Sequence, residues 1–406
     1  MASVQQLSLP SSLKADILLP FSKSESNRVL MLHHLSEKKI TYSGLSTCED
    51  VIVLQKILEK KPRKVDVKES GTAMRFLLAY FCITNKNRII TGSARLCNRP
   101  VGKLAEALRR LGFRINFVRN ENYPPVEVVP VSQQFIKQKT YVDASESSQY
   151  ISALLLIAPL LPEGMEIELS HEKVSQPYYR LTLDMLKQAG IIYSEFNSFI
   201  KVTHQKFKPC EIKIGGDWSA AACWYSMAAI ADKAEIKLKG LKADSGQGDK
   251  VIAQWLKKFG VETEYMNDGV LIRKRERVSA EPMQIDFTDH PDLAQTMLVT
   301  AAANNIRLHC TGIRNLRIKE TDRIEAIRTE LIKLNARLDV FNENECMLFP
   351  DFRLLDNRFK TYNDHRMVLA LAPVAVKEKI VIEEPLVVRK SYPEFWNHIQ
   401  QVIPFG

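Results

Sequence analysis

The chain has 406 residues, 45% of them hydrophobic and 26% charged, which excludes a disordered or low-complexity polypeptide and leaves room for two to three cores. Lys and Arg number 57 against 47 Asp and Glu, and the net +10 is compatible with nucleic acid, an acidic membrane or small anionic substrates. The basic residues are spread along the chain, with Arg273-Lys-Arg-Glu-Arg277 the densest cluster on an expected hairpin or loop face, which argues against a dedicated nucleic-acid patch.

Taken in order, the elements share one grammar: polar or basic residues stand where helices begin. A strand ends at Pro20, and Ser24 or Ser26 is the expected cap of a helix through Leu35, with Lys23, Ser24 and Arg28 around its start. Ser70-Gly-Thr-Ala-Met-Arg75 opens a helix to Phe81, where Gly71 lets a ligand approach the backbone. Asn98-Arg-Pro100 precedes a helix from Val101, with Arg99 at its mouth. Ser147-Ser-Gln149 opens the apolar run Ile151 to Leu161, which contains Ser152 and Pro159 and is too short to span a bilayer. Ser245-Gly-Gln-Gly-Asp249 reads as a turn before a helix. In Asn315-Leu-Arg-Ile-Lys-Glu-Thr-Asp-Arg323, Thr321 is the expected cap and Arg323 falls in the first turn, with Lys319 and Glu320 on the loop before it. Asn363-Asp-His-Arg-Met367 and Lys390-Ser-Tyr-Pro393 open the last two helices. A helix start offers unpaired N–H groups and partial positive charge to an anion, and an arginine adds paired hydrogen bonds to a carboxylate or phosphate. A glutamate there suits proton transfer better than anion binding. Singly, each site reads more readily as a plain cap or turn; converging on one cleft, they would bind a doubly anionic ligand pair.

The helices also repeat. Helical spacing ends at Gly112, Gly190, Gly260 and Asn335, each followed by a strand pattern, at intervals of 70–78 residues. With fainter copies near Val53 to Val67 and Phe395 to Val402, this predicts about six α/β units of roughly 65–75 residues, three on either side of a crossing near Gly215-Gly216. The seven cysteines form no CxxC pair and read as reduced thiols of a cytosolic protein, and the start of the chain shows no secretory signal pattern. No P-loop, GxGxxG, HExxH or GxSxG motif occurs, and nothing implies a metal or an organic cofactor.

Ser22-Lys-Ser-Glu-Ser-Asn-Arg28, Gly71-Thr-Ala-Met-Arg75, Asn98-Arg-Pro100, Ser147-Ser-Gln149, Lys319-Glu-Thr-Asp-Arg323 and Asn363-Asp-His-Arg-Met367 together resemble the signatures of the 5-enolpyruvylshikimate-3-phosphate (EPSP) synthase family, in family order from about residue 19 to 395. The resemblance implies addition of the 5-hydroxyl of shikimate 3-phosphate to phosphoenolpyruvate and loss of phosphate from the adduct. It also implies aromatic amino acid biosynthesis in the cytoplasm, by a monomer that is a target of the inhibitor glyphosate. The implied fold is α/β: two globular domains of three βαβαββ-type units each, an inside-out α/β barrel, covering 22–215 and 1–21 plus 216–406, with the active site in the cleft between them.

By the same resemblance Lys23 touches both substrates. Ser24, Arg28, Ser147, Ser148, Gln149 and Ser175 hold shikimate 3-phosphate, joined by Asn315 and Lys319, with Gln149 also near phosphoenolpyruvate. Gly71, Arg99, Arg323, Arg366 and Lys390 hold phosphoenolpyruvate. Asp292, in His290-Pro-Asp292, is the implied general base and hydroxyl-binding residue, and Glu320 the implied proton donor. Lys23, Asp292 and Glu320 disfavour the other reading, a non-catalytic anion- or nucleic-acid-binding protein on the same scaffold, because binding alone needs no carboxylates. The chain departs from the family pattern at Phe21, where Gly is usual, at Lys68-Glu69, where Gly-Asn is usual, and at Phe76, where Pro is common. These departures cluster on the phosphoenolpyruvate side.

Overall fold

The repeat is a strand–helix–strand–helix–hairpin unit. One copy runs through strand Lys64–Asp66, helix Gly71–Ile83, strand Arg88–Thr91, helix Gly102–Arg110 and the hairpin Arg114–Phe117/Val126–Val129. Its first two strands are parallel, Lys64 opposite Ile89, and the hairpin adds two antiparallel strands beyond them. The same order of pairing recurs from Lys139–Val142, from Met283–Asp286 and from Ser12–Leu18. The two remaining sheets are shorter: Ile40–Ser43 with Cys210–Lys213, and Val4–Leu7 with Ile380–Glu383 and Arg358–Phe359. This computed structural model describes residues 3–170, 175–275 and 281–405. Glu276 and Arg277 of the basic cluster therefore lie outside the described residues.

The chain divides into two compact units, Met1–Phe21 with Gly215–Gly406, and Ser22–Ile214. Each holds three of the six sheets formed by the described residues and its own apolar core. The sequence explains the layering. In each complete unit the helix leading into the second strand is apolar on nearly all sides, and the helix after that strand buries one side. Gly71–Ile83 and Gln149–Ile157 are almost wholly buried, as are Trp218–Ile230, Ala294–Ala303 and His365–Leu371. Gly102–Arg110 buries Leu104, Ala105, Ala107 and Leu108 and leaves Arg109 and Arg110 to solvent. A helix apolar all round must sit inside, and one with a stripe covers it. Each buried Leu or Ile contributes about 1.5–3 kcal/mol over its exposed state. Among the described residues no helix is long and apolar enough to cross a membrane.

The expected left-handed ends are present: Gly112, Gly190, Gly260 and Asn335 have φ of 101°, 77°, 79° and 55°. Two expected caps are not. The first helix is Lys23–Leu35, and its cap is Ser22, which accepts from Glu25 N, rather than Ser24 or Ser26. The helix Arg323–Ile332 is capped by Asp322, not Thr321; one carboxylate oxygen accepts from both Ile324 N and Glu325 N. A hydroxyl at Thr321 would lie one residue too early to reach those amides. Phe21 forms an antiparallel bridge with Gly216, whose N–H donates to Gly240 O at 2.7 Å. A Cβ on Gly216 would lie 2.9 Å from the Gly240 carbonyl carbon, so only glycine fits there.

Candidate active site

In the unit Gly215–Gly406, Arg323 opens its helix and is only 2% exposed. Burying a guanidinium is costly unless its donors are met. Three carboxylates meet them. Nε donates to Asp364 Oδ2 at 2.8 Å, Nη1 to Asp292 Oδ1 at 2.9 Å and Nη2 to Glu320 Oε2 at 2.7 Å. Burial alone would lower the Arg323 pKa, but Asp364, Glu320 and Asp292 overcome it and hold the group charged. Arg366 Nη2 donates to the other oxygen of Asp292 at 2.6 Å. Asp292 thus lies between two guanidinium groups. Burial would raise its carboxyl, yet Arg366, then Arg323, then Lys319 drive it far below the usual carboxylate range.

The loop before Arg366 is set by the same helix. Tyr362 and Asn363 both have positive φ, 52° and 54°, a conformation that asparagine tolerates and that is costly for tyrosine. Glu330, fully buried seven residues along the Arg323 helix, accepts from Tyr362 OH at 2.6 Å and Lys360 N at 3.1 Å. Asp364 then caps the helix His365–Leu371 through Arg366 N at 2.9 Å. Lys390 Nζ donates to the carbonyl of Asn363 at 3.2 Å. Asn315 is buried in the 3-10 turn Arg314–Ile318 that leads to Lys319. So Asn315, Lys319, Glu320, Arg323, Arg366, Lys390 and Asp292 stand on four segments of one unit.

In the unit Ser22–Ile214, Arg75 ties three motifs together. Its Nη1 donates to Gln149 Oε1 at 2.8 Å, Nη2 donates to Pro100 O at 3.3 Å, and its guanidinium lies 5.5 Å from the Tyr150 ring centre. Gln149 Nε2 donates to Thr72 Oγ1 at 3.0 Å. The guanidinium groups of Arg75 and Arg99 crowd over Gly71, where an added Cβ would lie 2.7 Å and 2.9 Å from their Nη1 atoms. Lys23 Nζ lies 3.7 Å from Asp50 Oδ2. Ser147 Oγ accepts from Gln149 N, and Ser148 and Ser175 are buried immediately before the helices Gln149–Ile157 and Gln176–Gln188.

Arg28, an expected phosphate ligand, is held by the protein's own acceptors. Its guanidinium is turned inward: Nε donates to Thr182 Oγ1 at 2.7 Å, Nη1 to Ser24 O at 2.8 Å, and Nη2 to Tyr178 O at 2.6 Å and Ser152 Oγ at 3.2 Å. Burial pulls its pKa down to about 10, against the opposing effect of Tyr178 and Glu25, so it stays charged at neutral pH. The Phe76 ring lies 5.6 Å from that guanidinium. The aromatic residue found where proline is common therefore supports Arg28.

Asp364, Thr72, Arg75 and Thr182 were not singled out from the sequence. Asp364 and Arg75 lie inside quoted motifs, and their type was the available signal; Thr182 gave none, being an ordinary helix residue. Asp249 was read as part of a turn. It stands in the 3-10 turn Gly248–Val251, is 3% exposed, and accepts from Ser219 Oγ.

A family model described as EPSP synthase (3-phosphoshikimate 1-carboxyvinyltransferase) matches residues 52–399. A 3-phosphoshikimate 1-carboxyvinyltransferase of Bacteroides fragilis is 42% identical over 401 residues, 97% of both chains. One from Vibrio campbellii is 30% identical over 418 residues, 96% of both. The solved structure of an EPSP synthase from Acinetobacter baumannii superposes with a TM-score of 0.77 over 99% of both chains at 19% identity. That last likeness establishes the inside-out α/β fold.

Proposed function

The chain belongs to the EPSP synthase family and transfers the enolpyruvyl group of phosphoenolpyruvate to the 5-hydroxyl of shikimate 3-phosphate, and on that premise we propose how its two clusters divide the work. Arg323, Arg366 and Lys390 bind phosphoenolpyruvate, as do Gly71 and Arg99. Ser24, Ser147, Ser148, Gln149 and Ser175 hold shikimate 3-phosphate, joined by Asn315 and Lys319. Lys23 serves both substrates. Arg28 acts at one remove, keeping the Ser24 and Tyr178 backbones in register.

The chemistry follows from the carboxylates. The 5-hydroxyl oxygen bonds to C2 of phosphoenolpyruvate as its proton passes to Asp292, and the C2–C3 electron pair takes a proton at C3 from Glu320. In the second half Glu320 recovers the C3 proton, the bond from C2 to the phosphate oxygen breaks, and Asp292 returns its proton to the departing phosphate. The observation that carries this reading is the convergence of Arg323 and Arg366 on Asp292, with Glu320 on the same Arg323 guanidinium. Two cations around one carboxylate suit a ligand with two anionic groups.

The test is phosphate release with both substrates and with each alone. Asp292→Asn and Glu320→Gln should each lower turnover by roughly 10²–10⁴, as expected for a lost acid or base, without weakening substrate binding. Near wild-type turnover in either variant overturns its role. We read the enzyme as a cytoplasmic monomer that uses neither nucleic acid nor a membrane. Light scattering at twice the single-chain mass would contradict the first part.

A further inference from the structure

Asp249 has no part in the roles above, yet its placement is specific. It lies at the foot of the helix Trp218–Ile230, where Ser219 Oγ donates to its Oδ2. The same helix packs against the turn Pro291–Leu293 that carries Asp292 and against the helix His365–Leu371 that carries Arg366. We propose that Asp249 is a positioning residue for this reaction: fixed by Ser219, it faces the Arg366–Asp292 pair and sets how strongly that arginine restrains the base.

The argument rests on the reading of Asp292 as base. Without ligand, two guanidinium groups hold Asp292 in a weakly basic state. When an anionic substrate draws those cations toward itself, Asp292 is left opposite the negative charge of Asp249. Like charges acting on one another favour protonation of one of them. Asp249 thereby raises the basicity of Asp292 at the step that needs it. The charges acting on Asp249 are consistent with this. Burial first, then the charge of Asp292, push its carboxyl up to about 6, opposed by Arg366 and Ser219, while Asp217 adds to the rise. Neighbouring Lys250 is directed instead at the carbonyl of Ala243.

The test is the pH profile of kcat/KM for phosphoenolpyruvate in wild type, Asp249→Asn and Ser219→Ala. The substrate's own ionisation is common to all three, so the ratio of wild type to Asp249→Asn isolates Asp249. That ratio should rise roughly tenfold from pH 5 to pH 8, as one unit of basicity implies, with a midpoint near the carboxyl's value of about 6. Ser219→Ala removes a donor that favours the ionised form, so its acid limb should move to higher pH. A flat ratio overturns the proposal, and so does an unmoved limb in Ser219→Ala. Asp292→Asn is measured alongside. If it keeps turnover, the assignment of the base has failed; if it is inactive while the ratio stays flat, only the role of Asp249 has failed.

Discussion

Arg366 Nη2 reaches Asp292 Oδ2 at 2.6 Å, so a cation suited to a phosphoenolpyruvate anion already holds a carboxylate. Substrate must compete with the protein's own side chain. Asp292→Asn removes the competing charge. We expect it to bind phosphoenolpyruvate more tightly, roughly tenfold for about 1.4 kcal/mol, while turnover collapses. Calorimetric titration with phosphoenolpyruvate checks this, and weaker binding would contradict it.

Arg323 is structural as well as functional. Its loss would leave Asp364, fully buried, without its arginine. Breaking one side of a buried pair typically costs about 3–5 kcal/mol. Arg323→Ala should lose stability on that scale and weaken phosphoenolpyruvate binding more than shikimate 3-phosphate binding. Pairing it with Asp364→Asn should recover part of the stability, because the stranded charge is gone. Denaturant titration of the single and double variants decides the matter, and additive losses would refute it.

Gly71→Ala should separate the two substrates. Its Cβ would meet the ends of two arginine side chains rather than backbone, so the fold can yield. Arg75 and Arg99 must then move. We expect little change in thermal stability and a KM for phosphoenolpyruvate raised by roughly tenfold or more, since small misplacements of positioning groups are expensive. Steady-state kinetics with each substrate varied will show whether KM for shikimate 3-phosphate stays close to wild type, as predicted.

Lys68 stands where the family usually has glycine, and its φ is 55°. It is compensated locally: its N–H and its ammonium both donate to Asp66, the latter at 2.7 Å. An exposed ion pair of this kind contributes little, about 0–1 kcal/mol, while the left-handed backbone costs about 1–2 kcal/mol. Lys68→Gly should therefore leave stability unchanged or raise it by up to about 1 kcal/mol. A clear loss in chemical denaturation would mean that the Asp66 contacts matter more than the backbone.

Asp249 should also show in stability. Its carboxyl is raised in the folded protein to about 6 from an unfolded value near 4. Folding is therefore unaffected by its charge below about pH 4, penalised increasingly between about pH 4 and 6, and penalised by a constant amount above that. Asp249→Asn should be more stable than wild type at pH 8, by roughly 2–3 kcal/mol before any loss of the Ser219 hydrogen bond, and similar to it at pH 4. Melting curves across this range test the sign; a variant stabilised only at acid pH would reverse it.

Much of the fold was readable because it rests on local rules. Gly112, Gly190, Gly260 and Asn335 each end a helix where a left-handed residue is needed, and apolar helices announce their burial. The caps failed for a local reason too. Ser22, Ser24 and Ser26 are equally good caps by type, and the choice is made by the backbone leaving the bridge between Phe21 and Gly216. The carboxylates were harder. Arg323 meets Asp364 across 41 positions of sequence, and Ser219 meets Asp249 across 30. No spacing rule links residues whose only relation is that two turns of one core bring them together.

Strand Val4–Leu7 completes a sheet with Ile380–Glu383, and strand Ser12–Leu18 pairs with Lys233–Lys239 and with Ile403–Pro404. On the ribosome, Val4–Leu7 is therefore made long before the strand that pairs with it. At about 5–20 residues per second it waits on the order of tens of seconds for its partners, while everything from Ser22 to Ile214 can collapse behind it. During translation Val4–Leu7 therefore stays an unpaired strand until Ile380–Glu383 has emerged, and a chain cut short before Ile380 leaves it without that partner.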